Sequence, residues 1–258
     1  MCRFGCVLCN GAVCRRSIIL GGITIKITLS KRLAAIASEI HHKSIIDIGT
    51  DHAHIPIYTC LNGITNKAVA CDINSGPLET AKKNIKTFRL EHMIETRLCS
   101  GFDAVKPNEA ECAILAGMGG GLIIDILKNA SAVVSAFDSL ILQPQLDIPE
   151  VRRYIHIIGF KISKELIVED SSKFYNIISC EKGTDTNYTE AEYLIGKKLI
   201  EQASETFKKY LNRQLISLRK IEANIGAFEN TLDDSGRKRL AEIQKFIKMY
   251  QCVLNPDT

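Results

Sequence analysis

Between residues 44 and 143 the chain repeats one alternation. Short apolar runs at 44–49, 68–73, 94–99, 112–116 and 139–143 are separated by helix-like segments at 55–62, 77–89 and 122–128 and by a short turn around Phe102. Buried strands that return in parallel need crossovers on both faces, so this pattern predicts an α/β fold, a parallel sheet covered on both sides. A helix at 148–158 then leads to two more strands, 160–168 and 174–180, separated by the turn-like Glu169-Asp170-Ser171-Ser172. That pair reads as a hairpin added to the sheet.

The periodic structure starts at Leu29-Ser30, where Ser30 can cap a helix with Leu33, Ile36, Ala37 and Ile40 on one face. From about Thr189 the strand signal ends. Leu211, Leu215, Leu218, Ile221 and Ile225 form one apolar stripe, and Leu240, Ile243, Ile247, Tyr250 and Leu254 form another that steps three and four alternately. Such a seam predicts a coiled-coil-like antiparallel helical hairpin, with the polar residues 230–236 as its turn. The expected organisation is a leader at 1–25, a Rossmann-like domain at 26–183 and a helical C-terminal domain at 184–258.

The leader carries Cys2, Cys6, Cys9 and Cys14, four of the ten cysteines in the chain. No CxxC pair is matched by a second, so an unstructured extension or an upstream start is favoured over a zinc site. Arg15-Arg16 before Ile18-Ile19-Leu20 imitates a signal peptide, but Gly21, Gly22 and Lys26 interrupt the apolar run. The scattered Cys60, Cys71, Cys99, Cys112, Cys180 and Cys252 fit reduced thiols of a cytoplasmic protein rather than a disulfide framework. Nothing reaches bilayer length. A net charge of +4 permits a polyanionic partner without requiring one.

The first strand runs into Asp47-Ile48-Gly49-Thr50-Asp51-His52, which sets a glycine at the carboxyl end of a buried strand, where open α/β sheets bind ligands. The next strand ends in Asp72, and an acid some twenty residues past a glycine turn suits ribose hydroxyls. A dinucleotide would need G-x-G-x-x-G, which is missing, and Asp51 would repel its phosphates. The same carboxylate attracts the sulfonium and ammonium of S-adenosylmethionine. A tight turn with Asp51 capping the following helix is the plainer alternative. The fourth strand ends in Ala116-Gly117-Met118-Gly119-Gly120-Gly121, a run that lets backbone pass close to a ligand or merely makes a flexible turn. His52 and His54 lack a third ligand, which favours local hydrogen bonding over a metal. Lys208, Lys209, Arg213, Arg219 and Lys220 offer a phosphate-contacting face, although a solvated helix surface is the commoner cause of such a run.

Taken together, Leu29-Ser30-Lys31-Arg32-Leu33, Asp47-Ile48-Gly49-Thr50-Asp51-His52-Ala53-His54-Ile55-Pro56, Ala116-Gly117-Met118-Gly119-Gly120 and Leu140-Ile141-Leu142-Gln143-Pro144 resemble the bacterial tRNA adenine-N1 methyltransferases that act on the adenosine at position 22 of tRNA. The resemblance runs in order from about Lys26 to the C-terminus. It implies a Rossmann-like S-adenosylmethionine-dependent methyltransferase domain, for which a hairpin at the end of a parallel sheet is characteristic, and a helical tail that helps hold tRNA. It also implies a cofactor pocket of Arg32, Asp47, Gly49, Asp51, His52, Asp72 and Ile73. Ser100, Gly101 and Phe102 would lie near the adenine, and Gly117, Met118 and Gly119 beside the transferred methyl. Gln143, Pro144, Tyr175, Lys208, Lys209 and Arg213 become the candidate tRNA contacts. Ser100 stands where the family usually has aspartate, Gln145 where it has asparagine, and Asn176 where an acid is commoner.

The chemistry expected of such a chain is direct methyl transfer to adenine N1, whose lone pair needs no general base, so no catalytic base and no metal are assigned. A monomer without an obligate protein partner is expected. Methylation of another RNA position or a small molecule, or non-catalytic RNA binding on a retained fold, remain the alternatives.

Overall fold

The computed structural model describes residues 15–20, 23–185, 188–227 and 232–255. Two strands come first, β1 (Arg15–Leu20) and β2 (Ile23–Thr28), paired antiparallel. The leader reading leaves residues 1–25 without structure, and here the structure differs. Isoleucines and threonines dominate Ile18 to Thr28, and β-branched residues of this kind favour an extended ladder. Cys2, Cys6, Cys9 and Cys14 lie outside the described residues.

Helix α1 (Lys31–Ser38) follows, its first turn capped by Ser30, whose Oγ accepts from the Leu33 amide at 3.3 Å. The main body then alternates β3 (Ser44–Ile48), α2 (His54–Leu61), β4 (Lys67–Asp72), α3 (Ser75–Thr87), β5 (Ile94–Leu98), β6 (Cys112–Met118), α4 (Gly120–Asn129), α5 (Ser131–Val134), β7 (Ser139–Pro144), α6 (Ile148–Ile157), β8 (Phe160–Asp170) and β9 (Lys173–Lys182). The strands lie in the order β5-β4-β3-β6-β7-β9-β8. All neighbours through β7 are parallel, and β9 runs antiparallel between β7 and β8.

Alternate residues of each strand feed opposite faces. Ile45, Ala70, Ile114, Ile141 and Ile177 enter one core with α1, α2 and α3, whereas Ile46, Val69, Leu115, Leu142 and Ile178 enter the other with α4 and α6. That two-sided burial explains the apolar runs of the sequence. Each fully buried isoleucine contributes about 1.5–3 kcal/mol.

The tail comprises a π-helical turn (Glu192–Gly196), α7 (Lys197–Gln202), α8 (Glu205–Gly226) and α9 (Asp234–Leu254). Leu211 and Leu215 of α8 meet Ile243, Ile247 and Tyr250 of α9 in a third core, against which Ile167 of β8 and Phe174 of β9 also pack. Ile221, read as part of the first stripe, is 41% exposed. Residues 230 and 231 of the expected turn lie outside the described residues, and α9 begins within it, at Asp234, because Asp233 caps the helix by accepting from the Gly236 amide at 2.7 Å.

A buried arginine, paired within the body, holds the tail to it. Arg152 of α6 donates from Nε to Glu165 of β8 at 2.7 Å, and both side chains are 1% exposed. Its two terminal nitrogens donate to the carbonyls of Tyr193, Leu194 and Ile195 at 2.8–3.2 Å, so one guanidinium gathers the π-helical turn. Gly196 has φ +110°, and a Cβ there would stand 2.8 Å from Arg152 Nη2. Among the described residues, no helix is long and apolar enough to cross a membrane.

Candidate active site

The carboxyl ends of β3, β4, β5, β6 and β7 share one edge of the sheet, and the glycine turns and aspartates expected at the cofactor site stand along it. After β3 the chain turns through Gly49 (φ +70°), His52 (+62°) and Ala53 (+57°) before entering α2. Left-handed conformations at non-glycine positions cost about 1–3 kcal/mol each and persist only where neighbours impose them. Here the Thr50 amide donates to the Cys71 carbonyl at 2.8 Å, and Asn84 Nδ2 to the His52 carbonyl at 3.0 Å.

Asp47 is buried beneath this loop and accepts from Thr50 Oγ1 at 2.6 Å. Burial pushes its carboxyl up to about 7, the Thr50 hydroxyl opposes the shift, and the charges of Asp72 and Asp51 add to it. Asp72 ends β4 and accepts from the Asn74 amide at 2.7 Å. Asp51 is exposed and pairs with His52 Nε2 at 3.0 Å, while His52 Nδ1 is buried and has no partner among the described residues. The rings of His52 and His54 lie 5.6 Å apart.

From the other side comes the glycine turn after β6. A register irregularity between Ala116 and Met118 puts Gly117 (φ +79°) in a bulge at the strand end. Met118 reaches back over Gly49, where its Cε occupies the place a Cβ would take. Gly119 precedes α4 with open space around it.

Arg32 of α1 closes the mouth. Its amide donates to Asp170 at 3.1 Å, Nη1 donates to Gln143 Oε1 at 3.0 Å, and the guanidinium lies 5.5 Å from the Tyr175 ring centre. Asp170 is held below the usual carboxylate range, chiefly by that amide. A cleft of about 210 Å³ results, lined by Arg32, Asp47, Gly49, Asp51, Gly117 and Gln145 among others. His54 and Gln145, given no role in the sequence reading, line it too; their position on the motif loops was the available signal.

The remaining expected residues lie outside that cleft. Ile73 and Ser100 are exposed at the ends of β4 and β5, Gly101 turns with φ +52°, and Phe102 is buried against Phe137 in the core. Gln143 and Pro144 are buried, and Gln143 spends its amide on Arg32 and on the Pro144 carbonyl at 3.2 Å. Lys208 and Lys209 are exposed on α8, with Lys208 paired to Glu205 at 2.9 Å. Arg213 instead donates to the Ser172 carbonyl at 2.6 Å, tying α8 to the β8–β9 turn. A wider groove of about 520 Å³ along α9, past Lys245 and Lys248, contains none of the expected site residues.

Three carboxylates beside a cleft repel phosphate and attract cations and hydroxyl groups. The arrangement accepts a cationic, hydroxyl-bearing ligand with close approach to backbone at Gly49 and Gly117.

Comparison with known proteins places the chain in a family. A family model described as TrmK, tRNA (adenine(22)-N(1))-methyltransferase, matches residues 45–251. The tRNA (adenine(22)-N(1))-methyltransferase of Bacillus subtilis is 30% identical over 230 residues, 86% of this chain and 97% of that protein. A Streptococcus pneumoniae protein solved in complex with S-adenosyl-L-methionine superposes with a TM-score of 0.77 at 28% identity, covering 88% of this chain and 99% of its own. Mycoplasma capricolum TrmK, solved with S-adenosyl-homocysteine, gives 0.75 at 29% identity over 88% and 98% of the two chains.

Proposed function

This chain belongs to the TrmK family of tRNA (adenine(22)-N(1))-methyltransferases, and we propose from that membership that it methylates N1 of the adenosine at position 22 of tRNA with S-adenosylmethionine as donor. The observation that carries the reading is the carboxylate-lined cleft between two glycine turns at the carboxyl edge of the sheet, on a chain matched by the family over most of its length.

The residues present fit the cofactor. Asp47 and Asp51 offer negative charge to its ammonium and sulfonium, and the Arg32 guanidinium offers donors to its carboxylate. Asp72 is the acceptor for ribose hydroxyls, and the unpartnered Nδ1 of His52 leaves one buried polar atom for a ligand to satisfy. Ile73 and Leu98, 66% and 60% exposed at the ends of neighbouring strands, give apolar surface for a flat base. When bound, S-adenosylmethionine supplies an electrophilic methyl group on a sulfonium.

Gly117 and Gly119 leave backbone without side chains where the acceptor base must approach. Neutral adenine presents a lone pair at N1, so the protein has to position and desolvate it rather than remove a proton. Gln143, fully buried, holds Arg32 in place instead of touching RNA. Exposed Lys208 and Lys209 serve as phosphate contacts on the tail, with Tyr175 nearer the mouth. The protein works as a cytoplasmic monomer in this reading.

Mass spectrometry of nucleosides from unmodified tRNA, incubated with purified protein and S-adenosylmethionine, tests the proposal. The expected product is 1-methyladenosine confined to position 22. Cofactor binding without that product would return the choice of acceptor to the open alternatives.

A further inference from the structure

Seven large apolar side chains stand exposed among the described residues, and four of them, Ile73, Leu98, Leu122 and Leu146, ring the carboxyl edge of the sheet. They fall on two sides. Ile73 and Leu98 end β4 and β5, beside the acidic half of the cleft. Leu122, in the first turn of α4, and Leu146, just after β7, flank the glycine turn on the acceptor side. Leu146 is 67% exposed, and water-facing leucine is not stabilised where it stands.

Its backbone is nonetheless held firmly. The Gly120 amide donates to the Leu146 carbonyl at 3.0 Å, and the Gln145 amide before it donates to the Met118 carbonyl at 2.8 Å. Asp147 after it takes φ +52°, and its carbonyl opens the hydrogen bonding of α6. The two segments approach so closely that a Cβ on Gly120 would overlap the Leu146 carbonyl and lie 2.7 Å from that of Asp147. Glycine at 120 is therefore required for Leu146 to be clamped to the turn that receives the acceptor base.

Adenine N1 lies on the pairing edge, so the target base must leave its stack to be methylated, at a cost of a few kcal/mol. An apolar side chain that fills the vacated gap offsets that cost, as apolar wedges do at kinked base steps. We propose that Leu146 is the wedge: it enters the stack vacated by the target adenosine and holds the base extruded toward Gly117, with Leu122 as the neighbouring apolar support. Resting on the tRNA reading above, the inference names the residue that makes the acceptor available.

The test uses full-length protein in two assays: unstacking, read with S-adenosylhomocysteine and tRNA carrying 2-aminopurine at the target position, a base that brightens on unstacking, and turnover, read with S-adenosylmethionine and unmodified tRNA. Wild-type protein is expected to raise the fluorescence several-fold. Leu146→Ala should lose most of that rise and at least tenfold in kcat/KM for tRNA, with cofactor affinity and Tm unchanged, and Leu146→Met should restore both. If Leu146→Ala matches wild type in fluorescence and in turnover, the wedge is overturned while the activity stands. If wild-type protein forms no 1-methyladenosine, the activity reading fails, and the wedge with it.

Discussion

Met118 lies directly over Gly49, so that the glycine turns of β6 and β3 touch through one flexible side chain. A side chain at 49 would both displace Met118 and force a left-handed backbone. Gly49→Ala should lower stability by about 1–3 kcal/mol and weaken S-adenosylmethionine more than tenfold, read by urea unfolding and calorimetry. Adding Met118→Ala should relieve the crowding and recover part of the stability but little of the affinity, because the backbone strain remains.

Cofactor binding should depend on pH through Asp47. Its folded carboxyl titrates at about 7, above the ordinary 3.8, so the folded protein holds this proton more tightly than the unfolded chain. Its contribution to cofactor-free stability is therefore greatest below about pH 4 and is lost as pH rises toward 7. A cationic cofactor prefers the ionised form, whose fraction rises about tenfold between pH 6 and pH 8. Affinity for S-adenosylmethionine should rise by about that factor over this interval, with proton release on binding. Asp47→Asn should flatten the dependence and raise the Tm of the cofactor-free protein at pH 8; an unchanged slope would remove Asp47 from the site.

Buried charge fixes the junction between body and tail. Arg152→Met leaves the Glu165 carboxylate buried without its partner and should cost about 3–5 kcal/mol in urea unfolding. Replacing Glu165 with Leu as well removes the stranded charge, so the double variant should recover most of that loss. Equal losses in single and double variants would show that the carbonyls of the π-helical turn, not the ion pair, set the energy.

On the tail, changing Lys208 and Lys209 together to Glu should weaken tRNA binding and reduce the salt dependence of its affinity by about one unit of slope per lost contact. S-adenosylmethionine affinity should not move. Filter binding across a salt series reads both, and an unaltered slope would mark the two lysines as ordinary solvated charge.

Much of this fold is legible in the chain because both faces of the central strands are buried and their apolar runs carry no competing signal. Ser44–Ile48, Ser139–Pro144 and Ile148–Ile157 fall within one residue of their expected ends. The motif loops also declare themselves: five residues expected in the pocket, Arg32, Asp47, Gly49, Asp51 and Gly117, line one cleft. Side-chain direction is what a linear motif hides. Gln143 and Phe102 are expected at the site yet lie in the protein interior, Gln143 because β7 is buried along its whole length and Phe102 because it packs against Phe137. Arg213 reads as a free cation until the β8–β9 turn arrives beside it. The π-helical turn has no sequence signature of its own, since its carbonyl partner is an arginine more than forty residues earlier.

That last distance also orders assembly. The carbonyls of Tyr193, Leu194 and Ile195 converge on a guanidinium carried by α6 and oriented by β8, so the turn has no cation to close around until those two elements have met. On a chain emerging N-terminus first, the catalytic body condenses before the tail can dock. A tail that has docked therefore certifies a finished floor beneath it.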